Sequence, residues 1–310
     1  MRRSILAAAV LAFAVSPAAA LGVLSGGPGT SGADFLTIGV GARQLGMGSA
    51  FSAVDTGLDA NAVNWNPAGL AFVDKSNVTA SYSSLFVDQS QGYFGYAAPM
   101  KSVGGTLAAG VNYLTVTNIE NRAGDSESPD AVFSNQNYAA SVSYARIFAE
   151  RVAGGMSVKY VRTELDTLKG NAMALDFGAL VRTPVNGLTA GASLKNLGSN
   201  IGPDSLPLNF QGGLAYKMFD SKLLLATDAH WLVTERRMYW SVGGEYWISP
   251  NLAARGGYQL GHGADQLQSS LVGLGAGLGV KFSRFSMDYA FLPYGDLGST
   301  HRVTFGLRFE

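Results

Sequence analysis

The chain has 310 residues, 22 Lys and Arg against 22 Asp and Glu, and no Cys. Zero net charge without a basic block argues against a nucleic-acid partner, and the lack of Cys excludes disulfides and thiolate metal sites. Only 14% of residues are charged, against roughly 25% in soluble domains, and 40 are Gly, a composition that suits lipid-facing strands with small inward residues.

Met1-Arg2-Arg3, an apolar run from Ile5 to Val15 and the small residues Ala18-Ala19-Ala20 make a secretory leader over residues 1–20. The run is too short to span a bilayer as a helix, and no later segment is long enough. The mature chain is expected to begin near Leu21 and leave the cytosol.

Residues 21–76 form a separate N-terminal segment. Gly22 to Gly32 is rich in Gly, Ser and Pro and is expected to be mobile. Asp59 to Leu70 reads as one or two helical turns that end at Asn66, because a residue before Pro is pushed out of the α region. Such backbone cannot lie bare in lipid, where its polar groups would be unsatisfied, so the segment is expected to sit in or below a barrel as a plug. Arg43 is a lone cation in the Gly-rich part of it. Burial requires a partner for that charge, and Asp176, Asp228 and Asp288 are the candidates. Gly39, Gly41, Gly46 and Gly48 are read as positions for tight turns rather than for ligands.

From Asn77 to the end, strand candidates alternate with turn signals. They fall at 77–85, 91–98, 103–117, 135–148, 153–164, 171–183, 187–196, 207–219, 221–233, 236–248, 250–260, 269–282, 284–292 and 300–309. Fourteen is an even number, as bacterial outer-membrane barrels require. Alternate residues on a strand point to opposite faces. Met173-Leu175-Phe177-Ala179-Val181 forms one apolar column, as do Met238-Trp240-Val242-Tyr246-Ile248 and Phe285-Met287-Tyr289-Phe291. Val272, Leu274, Ala276, Leu278, Val280 and Phe282 form another, backed by Gly273, Gly275, Gly277, Gly279 and Lys281. Opposite the apolar columns stand Asp176, Arg182, Ser241, Glu245, Ser286 and Asp288, which are expected to face the lumen.

Even-to-odd links are short, and odd-to-even links are mostly longer: Asn118–Ser134, Leu197–Leu206, Gly261–Gln268 and Pro293–Ser299, with Thr234–Glu235 the tight exception. That alternation places both termini in the periplasm. The fold expected is therefore all-β: a fourteen-stranded antiparallel transmembrane barrel over residues 77–310, in contact with outer-membrane lipid, following the plug segment.

Little in the chain points to catalysis or metal binding. His230, His262 and His301 are scattered without ligand spacing. His230 lies two residues from Asp228 on the same strand face and reads as half of a lumenal polar pair. No G-x-S-x-G elbow is present, and the Gly repeat at 273–279 has period two, unlike a nucleotide loop. A barrel enzyme would need a Ser at hydrogen-bond reach of His230, facing solvent or lipid. The acidic link containing Glu120, Asp125, Glu127 and Asp130 reads as a solvated loop. The chain is taken as non-enzymatic and without a cofactor.

Ile38-Gly-Val-Gly-Ala-Arg43, Gly46-Met-Gly-Ser-Ala-Phe51 and Asn64-Trp65-Asn66-Pro67-Ala68-Gly69-Leu70-Ala71 resemble the N-terminus of the PorV/PorQ family, within the wider FadL-like group of outer-membrane barrels. The Asn66-Pro67-Ala68 triplet matches a plug motif of that group. The end of the chain, with Val303, Phe305, Leu307 and Phe309 on one face, resembles the signal read by barrel-assembly machinery, although Glu310 follows the aromatic residue. The resemblance implies a component of type IX-like protein export that meets secreted cargo or secretion-system subunits. Alternatively, it implies a carrier of small hydrophobic molecules across the outer membrane.

Overall fold

A computed structural model describes residues 29–57, 59–261 and 270–309. The expected leader, most of the Gly/Ser/Pro-rich stretch, His262 and Glu310 lie outside these residues. Fourteen strands close into an antiparallel barrel in which each pairs with its neighbours in sequence and β1 closes against β14. In chain order they are β1 (Asn77–Ser84), β2 (Gln89–Met100), β3 (Gly105–Asn121), β4 (Ala131–Ala149), β5 (Val152–Leu165), β6 (Leu168–Arg182) and β7 (Leu188–Gly198). The second half comprises β8 (Asn209–Met218), β9 (Leu223–Leu232), β10 (Arg237–Ser249), β11 (Leu252–Leu260), β12 (Leu274–Phe282), β13 (Phe285–Pro293) and β14 (Ser299–Arg308). Closure leaves no unpaired edge, which is what a sheet immersed in lipid requires. Among the described residues no helix is long and apolar enough to cross a membrane.

The expected fold is borne out, and so is the division of faces. Met238, Trp240, Val242, Tyr246 and Ile248 are exposed on the outer surface, as are Leu278, Val280, Phe282, Phe285 and Met287. Ser241, Glu245, Asp176 and Asp288 are buried on the inner one. An apolar exterior over a polar interior inverts the soluble pattern and marks lipid as the outer solvent.

Three expectations about boundaries need correction. β12 begins at Leu274 rather than 269. Gly273 takes φ +96°, and Val272 beyond it is buried instead of continuing the outward column. The link between β3 and β4 shrinks to residues 122–130, because β3 resumes pairing beyond a bulge between Val116 and Ile119, where Asn118 has φ +57°. Glu120 therefore lies on a strand. Links at the odd-to-even end are also less uniformly long than expected: β5 and β6 are joined by residues 166–167 alone.

The N-terminal segment supplies the core. Its buried Leu45, Met47, Phe51, Val54, Val63, Trp65 and Leu70 form one apolar cluster with wall residues that are mostly alanines, among them Ala97, Ala108, Ala145, Ala215 and Ala290. Small wall residues leave room that the segment fills at ordinary packing density.

Candidate functional site

The segment's backbone touches the inner wall where the wall lacks side chains. A Cβ on Gly243 would fall 2.0 Å from the Met47 carbonyl oxygen, and one on Gly275 would fall 2.3 Å from that of Leu45. Gly275 and Gly277 of β12 are thus a bed for α1 (Ala42–Gly46). Gly48 has φ +59° and a would-be Cβ 2.4 Å from the Tyr258 amide nitrogen. Both conformation and space demand glycine there.

Arg43 on α1 is buried, and its partner is Glu245 on β10, not the Asp176, Asp228 or Asp288 expected. Nε and Nη2 donate to the two carboxylate oxygens at 2.8 Å each, a bidentate fork. Nη1 donates to the carbonyls of Thr56 and Gly57. Burial opposes the charge, but the Glu245 carboxylate more than offsets this and holds the guanidinium above its ordinary pKa. Glu245 also accepts from Arg255 Nε at 2.7 Å, and Arg255 Nη1 reaches Asp288 at 2.7 Å. Arg43, Glu245, Arg255 and Asp288 therefore form one buried chain of alternating charge. Arg255 was missed from sequence, yet a signal existed. The tight link between β10 and β11 sets a register that places Arg255 opposite Glu245.

On the neighbouring strand β9, Asp228 forms no ion pair with a described residue. Its carboxylate accepts from the Phe51 and Ser52 amides, the Ser52 hydroxyl and Gln211 Nε2, at 2.7–2.8 Å. His230, on the same face, is buried and stacked on Tyr239 with centroids 4.3 Å apart. That burial does not fit a catalytic pair facing solvent or lipid. Asp176 is paired with Lys159 at 2.8 Å and accepts the Asn196 amide.

Residues 64–69 join two short helices, α2 (Ala62–Trp65) and a 3-10 helix (Pro67–Phe72). Asn66 between them is extended, as a residue before Pro should be. Its Oδ1 caps the second helix by accepting from the Ala68 amide, and its Nδ2 donates to the carbonyls of Ser52 and Ala179. Gly178 and Gly155 make way for Asn66 and Pro67, since a Cβ on either would fall 2.1–2.4 Å from those residues. The Asn66-Pro67-Ala68 triplet is thus a joint against β5 and β6. Trp65 Nε1 donates to the Val40 carbonyl, and Lys195 donates to the Asn64 carbonyl. Among the described residues no cluster of His, Asp and Glu could hold a metal. Two of the four acids read as a solvated loop are engaged locally: Glu120, at the end of β3, pairs with Arg122, and Asp130 of the 122–130 link accepts the Ala123 amide.

Residues 28–180 match the model of a family described as type IX secretion system protein PorV, which bears out the resemblance read from the N-terminal block. No curated protein matches the sequence. Among solved structures, the Pseudomonas putida toluene transporter TodX superposes with a TM-score of 0.62 at 13% identity, covering 86% of this chain and 96% of that one. A Pseudomonas aeruginosa FadL homologue gives 0.58 at 12% identity, covering 87% and 98%. At such identity the likeness establishes the fold, an outer-membrane type of barrel.

Proposed function

We infer that this chain, which carries the PorV signature over residues 28–180, is a non-enzymatic outer-membrane component of protein export. The observation that carries the reading is the conjunction of that signature with a lumen filled by the chain's own segment. Residues 42–72 are fastened to β9, to β10 and to β5–β6 by buried contacts, so the barrel serves as a docking surface rather than as a conduit. On this reading residues 1–20 are the leader, 21–76 the plug and 77–310 the barrel. Both termini face the periplasm, and Arg43 together with Asn64–Gly69 forms the plug's attachment. Asp176, Asp228, His230 and Asp288 are lumenal supports. Exported proteins or secretion-system subunits are the partners.

The test is a pull-down of the tagged protein from detergent-solubilised outer membranes, paired with the surface and secreted proteins of a deletion strain. Stoichiometric exported proteins or a large secretion subunit are expected, with loss of secreted proteins on deletion. A barrel that purifies alone, with an unchanged secretome, overturns the reading.

The second reading is passage of small hydrophobic molecules. It is favoured by superposition on nearly the whole length of a toluene transporter and a FadL homologue. It requires the segment to yield, and uptake of such molecules would then fail whenever the segment is held in place.

A further inference from the structure

Between the N-terminal segment and the end of the barrel that bears the longer links lies a cavity of about 210 Å³. At about 30 Å³ per water, that is room for about seven waters, or for one small organic molecule. Three cations line it: Lys159, which is paired with Asp176, Lys195 of β7 and Arg302 of β14. Neither of the last two forms an ion pair with a described carboxylate; the nearby acids are already taken, Asp176 by Lys159 and Asp228 by four donors. Lys195 Nζ has only the Asn64 carbonyl at 3.3 Å and the Trp65 ring at 5.6 Å. Arg302 is 2% exposed. It donates from Nη1 to the Gly39 carbonyl and has the Tyr294 phenol beside it, but its Nε is buried without an acceptor. A buried cation without a paired carboxylate, as Arg302 is, is costly, and an anion in the cavity, shared with the half-buried Lys195, removes that cost.

The same cavity offers acceptors that lack donors. Gln211 is fully buried and spends its Nε2 on Asp228, which fixes Oε1 as a free acceptor. Asn209 Oδ1 is likewise buried and unbonded. An alkyl carboxylate would satisfy the cations and leave both acceptors desolvated. A ligand with hydroxyl groups satisfies both sets.

We propose that this cavity binds a small hydroxylated organic anion, drawn in by Lys195 and Arg302 on its walls, with its hydroxyls toward Gln211 and Asn209. The proposal does not depend on the export reading, because it is tested on the purified barrel.

The experiment is calorimetric titration of the full chain in nanodiscs with D-gluconate and D-glucose 6-phosphate, with D-glucose and octanoate as controls. Saturable binding of at least one of the two anions is expected, with both controls at least tenfold weaker. Which of the two binds tells carboxylate from phosphate. Arg302→Gln and Lys195→Gln are each expected to weaken that binding at least tenfold while the barrel keeps its heat-modifiable gel mobility. If Arg302→Gln fails to fold, Lys195→Gln alone carries the test. Three results each overturn the proposal: no saturable binding of either anion, equal binding of glucose or octanoate, or unchanged binding in a folded variant.

Discussion

Two buried carboxylates on neighbouring strands, Glu245 of β10 and Asp228 of β9, hold the same segment, and they do so by different chemistry. Glu245 recognises a side chain, the guanidinium of Arg43, and shares its charge with Arg255. Asp228 recognises backbone, the amides of Phe51 and Ser52, with one hydroxyl and one carboxamide in support. The first contact depends on a particular residue in the segment. The second asks only that the backbone lie in the right place. Ionic specificity at one anchor and sequence-tolerant geometry at the other would explain why the segment can be dense in Gly and Ala yet keep one arginine. A third pairing, Asp55 with Arg182 and Lys217, joins a buried carboxylate to an Arg182 side chain that is 43% exposed, so solvent screens that arm of it.

The comparison can be broken at Glu245 first. Glu245→Ala leaves Arg43 and Arg255 buried without their shared carboxylate and is expected to cost about 3–5 kcal/mol, read by denaturant unfolding in detergent. Arg43→Met should cost less, because Glu245 keeps Arg255; equal costs would mean that Arg255 adds nothing and the fork carries the whole effect. At the second anchor, Asp228→Asn keeps the shape but weakens charge-assisted bonds to four donors, an expected loss of about 1.5–3 kcal/mol. Ser52→Ala removes one hydroxyl donor and leaves both amide contacts, an expected loss of about 0.5–1.5 kcal/mol. If the two anchors are independent, the double variant Arg43→Met with Ser52→Ala will be additive within about 0.5 kcal/mol. A larger coupling energy would show that the segment shifts as one body.

How much of this was legible in the sequence follows the solvent. Lipid on the outside forces apolar residues onto alternate positions, so columns such as Met238 to Ile248 announce their strands and their outward face. The β12 boundary was hidden because Val272 obeys the alternation while Gly273 turns the chain out of it. The glycines of that strand read only as small; that Gly275 and Gly277 make a bed for Leu45 and Gly46 depends on a backbone far away in sequence. Arg43's need for a partner was readable from burial cost alone. Choosing Glu245 required knowing how α1 lies across the lumen, and no local pattern encodes that. Lys195 and Arg302 were silent for the same reason: a strand cation looks alike whether or not an acid faces it.

The most direct test of a filled, docking barrel exploits the absence of Cys. The Ala42 amide nitrogen of α1 lies 2.8 Å from the Thr304 Oγ1 of β14, which keeps the two Cα atoms within about 6.7 Å, inside the span of a disulfide. Ala42→Cys with Thr304→Cys therefore ties the segment to β14 in an otherwise thiol-free chain, and secreted proteins are then measured in oxidised and reduced cells. The expected result is a tether that forms and leaves secretion unchanged in both states. Secretion that falls when the tether closes and recovers with reductant would contradict the account, because the segment would then have to move for the protein to work.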